Sequence, residues 1–154
     1  MLLVSAILAK VAGVILVAGG IWGIVFTYQN VAQEKIITSV DASIPGVPVL
    51  GPLTLKSQAD IIRTHTLHTT GDQVYAEMPR QIPKVDAAGK QILGADGKPV
   101  MVANTARDLW ITATTLTTAL NLGIVTYAFS GLVLLFGLIS IWTGITFYAL
   151  SRKY

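Results

Sequence analysis

The chain has 154 residues, of which 53% are hydrophobic and 12% charged; an ordinary soluble domain carries about 25% charged residues. The formal charge of +3 is carried by Lys10, Arg152 and Lys153, because the segment between them balances eight Lys and Arg against eight Asp and Glu. This excludes the basic stripe that nucleic-acid binding requires. The lack of cysteine excludes disulfides, thioether-linked haem and thiolate metal sites.

Two stretches are free of charge, Val11 to Asn30 and Leu109 to Ser151. Each reaches the roughly 20 apolar residues that a helix needs to cross a bilayer core. The expected fold class is a membrane α-helical protein: two transmembrane helices flanking a small α+β extracytoplasmic domain. Residues 1–28 are expected to form a signal anchor, with the span at about Leu8 to Tyr28. Residues 29–104 would form the domain, 105–122 a helical stem, 123–150 the second span and 151–154 a tail. Short basic ends stay in the cytoplasm, and long loops translocate largely regardless of charge. The expected location is therefore the plasma membrane, with both termini cytoplasmic and the loop outside. A cleaved signal peptide is the competing reading of the first stretch. The apolar run continues through Trp22, Ile24, Val25 and Phe26, which is long for a signal core.

In the first span, Gly19 and Gly23 form a G-x-x-x-G pair, and Ala9 and Gly13 a second small pair. Such pairs allow close helix approach in lipid. The expected partner is the second span, where Gly131, Gly137 and Gly144 recur at intervals of six and seven. These five glycines are the candidate helix-packing residues.

After the span, the β-branched run within Val31 to Val40 predicts a short strand, and Pro45 to Pro52 a rigid non-helical loop. Thr54 is a candidate cap for a helix from Leu55 to about His68, with Gly71 as its stop. Val74 to Met78 reads as a strand ended by Pro79. Lys84 to Met101 reads as a hairpin around Asp96-Gly97, and Asp86 to Lys90 echoes Ala95 to Lys98. Thr105 to Asp108 resembles a capping box. From there a helix can run to Leu150, with a bend expected at Asn121-Leu122-Gly123.

No reactive constellation stands out. His65 and His68, spaced i,i+3, are the only histidines, and zinc sites need three or four ligands. The spans hold no haem ligand, and the loop has neither a phosphate cradle nor a nucleophile elbow. The expected cofactor and metal complement is none. The expected partners are the lipid bilayer and other integral membrane subunits, with no nucleic acid.

The string Thr27 to Ile36, then Gly51-Pro52-Leu53, Gln58 to Ile62 with His65, Val74 to Met78 and Ala106 to Trp110 resembles small two-pass membrane proteins of actinobacteria. These often carry the label "aromatic ring-opening dioxygenase". A non-haem iron dioxygenase needs a His and carboxylate cluster, which two histidines do not supply, so that activity is not transferred. Some small actinobacterial two-pass proteins of similar architecture are accessory subunits of the cytochrome bcc–aa3 respiratory supercomplex. The resemblance thus implies a non-catalytic accessory subunit of a membrane complex. The alternative is a stand-alone cell-envelope binding or sensing protein.

Overall fold

The computed structural model describes Met1–Lys153. Three helices and one two-stranded sheet follow in the order α1 (Leu2–Gln33), α2 (Pro52–Thr69), β1 (Gln81–Pro83), β2 (Met101–Ala103) and α3 (Thr105–Ser151). At about 1.5 Å per residue, α1 is about 48 Å long and α3 about 70 Å. Both are long and apolar enough to cross a membrane. Only 11% of the most apolar window of each is buried, the reverse of a core helix in a soluble protein.

The chain divides into two compact units, one of Met1–Gln58 with residues from Leu120 onward, the other of Ala59–Ala119. In the first, α1 and α3 run antiparallel: Ala6 and Lys10 meet Gly144, Gly13 meets Gly137, and Gly23 meets Ser130. The buried residues of α1 are Ala6, Gly13, Gly20 and Thr27, spaced by seven. On α3, Ser130, Gly137 and Gly144 are buried at the same spacing. A strict seven-residue repeat turns slightly ahead of a straight helix, so it favours a left-handed supercoil with a continuous seam.

The expected strand within Val31 to Val40 is absent. Helix α1 absorbs Val31 to Gln33 and stops at Lys35, whose φ of 51° takes the left-handed conformation that ends helices. The following loop closes on Thr38, which pairs with Val47 through its amide and hydroxyl, while Ile37 and Pro48 form an isolated bridge. Thr54 accepts from the amides of Leu50 and Gly51 ahead of α2. Val49 and Leu55 are fully buried beneath this loop. The Tyr127 hydroxyl donates to the Leu50 carbonyl at 2.7 Å, joining the loop to α3.

The second unit holds the rest of α2, the sheet and the start of α3. Val74 to Met78 forms a turn where a strand was expected: the Glu77 carboxylate accepts from the Val74 amide at 3.0 Å, and the Glu77 amide donates back to the Val74 carbonyl. Sheet pairing runs from Gln81↔Ala103 to Pro83↔Met101, at the base of the hairpin expected over Lys84 to Met101, and Leu93 and Pro99 form an isolated antiparallel bridge beside Asp96-Gly97. Inside the hairpin the chain makes two tight tips. Asp86 Oδ1 accepts from the amides of Ala88 and Lys90, and Asp96 Oδ1 from Lys98. Gly89 and Gly97 supply the left-handed residue of each tip, with φ of 78° and 72°. The echo between the two sequences is therefore a repeated turn.

Helix α3 starts one residue from the expected cap. Asn104, not Thr105, accepts from the Ala106 amide, and its own amide nitrogens tie it to Pro79 and Arg80. Where a bend is expected, at Asn121-Leu122-Gly123, α3 continues as uninterrupted helix. Leucine, alanine and isoleucine on both sides sustain the helix, and one interior glycine costs only about 1 kcal/mol.

Candidate functional site: the small-residue seam

The seam between α1 and α3 is built from residues too small to hold the helices apart. A β-carbon at Gly13 would lie 2.8 Å from the Gly137 carbonyl oxygen, and one at Gly137 would lie 2.7 Å from the Val17 amide nitrogen. At Gly20 it would lie 2.8 Å from the Leu134 nitrogen, and at Gly144 it would lie 2.9 Å from the Ala6 carbonyl oxygen. These neighbours are backbone atoms, so no side-chain rotation can relieve the overlap. Gly23 faces the hydroxyl of Ser130. Ser140 donates across the seam to the Ala9 carbonyl at 2.8 Å.

Of the five glycines expected to pack, Gly23, Gly137 and Gly144 therefore lie in the seam. Gly19 and Gly131 do not; a β-carbon at either would meet nothing within 4 Å. The G-x-x-x-G motif pointed to the right helix, and one of its two glycines, Gly23, faces α3. Gly19 is one residue from the buried Gly20, and one residue turns the helix by about 100°. The small residues missed were Ala6, Gly20, Thr27 and Ser130. A search for small residues every seventh position, instead of every fourth, would have found them.

Val17, Leu134 and Ile141 lie against the seam glycines, and most of the other large apolar side chains point away from them. Trp22 is 67% exposed, Phe129 66% and Trp142 72%, and Trp22 stacks on Phe26 with ring centroids 5.3 Å apart. Lys10, the only charge in α1, turns along Gly144 so that its Nζ sits 4.2 Å from the centroid of the Tyr148 ring.

In the second unit, an open hollow of about 590 Å³ is lined by Tyr75, Trp110, Ile111, Thr114, Thr115 and Thr118. Trp110 is buried, and its Nε1 donates to the Gln73 carbonyl at 2.8 Å. Arg63 lies over the Trp110 ring and Arg107 over Tyr75, the latter 3.9 Å from the ring centroid, where the guanidinium also donates to the Met78 carbonyl. His65 and His68 are exposed on α2. Among the described residues, no group of three or more His, Cys, Asp or Glu could hold a metal ion.

No protein-family model, no curated protein and no solved structure matches the chain.

Proposed function

We propose that this chain is a two-pass plasma-membrane protein, with both termini cytoplasmic and residues 29–104 outside, that serves as a non-catalytic accessory subunit of a larger membrane assembly. The observation that carries the reading is the division of labour on α1 and α3. The buried rows of the two helices are glycine, alanine, serine and threonine, while most of the large apolar side chains face outward and stay exposed. In water such a surface would drive aggregation. In a bilayer it meets lipid or the helices of other subunits, and small residues supply the close packing that replaces the hydrophobic effect between helices.

A respiratory supercomplex is the assembly that the family resemblance suggests. Purification in mild detergent, followed by mass spectrometry of the co-migrating subunits, tests this. Stoichiometric membrane subunits support the accessory role, and respiratory subunits among them support the more specific reading. A chain that migrates alone favours the second reading, a cell-envelope binding protein, for which the hollow beside Tyr75 and Trp110 is the candidate site.

A further inference from the structure

We infer that Lys10 and Tyr148 form the centre of a binding site for the phosphate headgroup of an anionic phospholipid, at the end of the helix pair where Arg152 and Lys153 follow α3. The inference rests on the membrane reading above. Lys10 lies in an apolar helix with no acidic residue between Met1 and Gln33, and α3 has none after Asp108. Its ammonium is held over the Tyr148 ring, with no carboxylate partner among the described residues.

The seam makes this position reachable. A β-carbon on Gly144 would lie 2.7 Å from Lys10 Cγ, so the missing side chain at Gly144 is the gap through which the lysine stem passes to α3. Side chains lean towards the N-terminus of their own helix. In this antiparallel pair Lys10 therefore leans towards the start of α1, and Tyr148 leans back towards it. The aliphatic stem stays in the apolar layer while the charge rises to the interface.

A ring quadrupole stabilises a cation without neutralising it. Arg152 follows Tyr148 by four residues, one turn further on, and Lys153 is next. Among the described residues this end gathers three cations and no acidic side chain, so charge complementarity points to an anion. In a bilayer that anion is a lipid phosphate.

The test uses the full chain in nonionic detergent, titrated with dioleoyl phosphatidylglycerol, dioleoyl phosphatidylcholine or inorganic phosphate. The rise in Tm reports binding. Phosphatidylglycerol should bind more tightly than the other two. Lys10→Gln should weaken it by about fivefold, the scale of one basic residue near an anionic leaflet, and Tyr148→Leu, which removes the ring that positions the ammonium, should weaken it by less. Lys10→Arg and Tyr148→Phe, which keep the charge and the ring, should bind as the parent does, and so should Lys98→Gln in the loop. Equal binding of phosphatidylcholine, or of phosphatidylglycerol by Lys10→Gln, would overturn the site. Equal binding of inorganic phosphate would overturn its assignment to lipid. Release of the protein from membranes by alkaline carbonate would instead refute the membrane reading, an outcome that the titration does not produce.

Discussion

The two units hold together by opposite means. In the first, α1 and α3 approach so closely that a β-carbon on Gly13, Gly20 or Gly137 would overlap the backbone of the facing helix, and among the described residues one hydrogen bond, from Ser140 to Ala9, crosses the seam. In the second, a few polar side chains do the joining: Trp110 to Gln73, Asn104 to Pro79, and Arg107 to Met78 and Tyr75. The first unit depends on what its side chains lack, the second on what they supply. Added atoms should therefore damage the first unit, and deleted atoms the second.

The largest effect should come from filling the seam. Gly13→Leu or Gly137→Leu places carbon against backbone, and should destabilise the pair by more than the 1–3 kcal/mol typical of overpacking that side chains can relieve. A fall in Tm of the detergent-purified protein would show it. Next in size is Trp110→Ala in the second unit, at about 3 kcal/mol, the lower end for removing a buried Trp side chain. Tryptophan fluorescence of the parent and limited proteolysis of the variant within residues 59–119 should both report the loss.

Asn104→Ala removes the cap of α3 and the bond to Pro79 together, and should cost about 1–2 kcal/mol. Amide hydrogen exchange at Ala106 and Arg107 should rise in this variant. The smallest effect sharpens the comparison most. Gly19→Leu and Gly131→Leu add the same atoms as the seam variants, yet should change stability by less than about 0.5 kcal/mol, as surface substitutions do. Equal damage from Gly19→Leu and Gly13→Leu would place the seam elsewhere.

The pattern of charge and hydropathy carried the long elements. Both apolar helices and α2 were legible, because helices of this length are set by composition over many residues. The Asp96-Gly97 turn was legible because its chemistry is local. Three features were not. The Val74 to Met78 turn depends on one carboxylate, Glu77, reaching back to an amide. The cap of α3 lies on Asn104 because that side chain also serves Pro79, which is 25 residues away. The row of seam residues depends on rotation about the helix axis, and a four-residue motif cannot fix rotation across 32 residues. A seven-residue repeat can.

The most direct test of the account is the side of the membrane on which the loop lies. The sequence has no cysteine, so single cysteines report without background. In intact cells, Asp86→Cys should react with a membrane-impermeant thiol reagent, whereas Lys153→Cys should react only after the membrane is opened. Labelling of Lys153→Cys but not Asp86→Cys in intact cells would invert the topology. Labelling of both would contradict a chain that crosses the membrane twice with its ends in the cytoplasm.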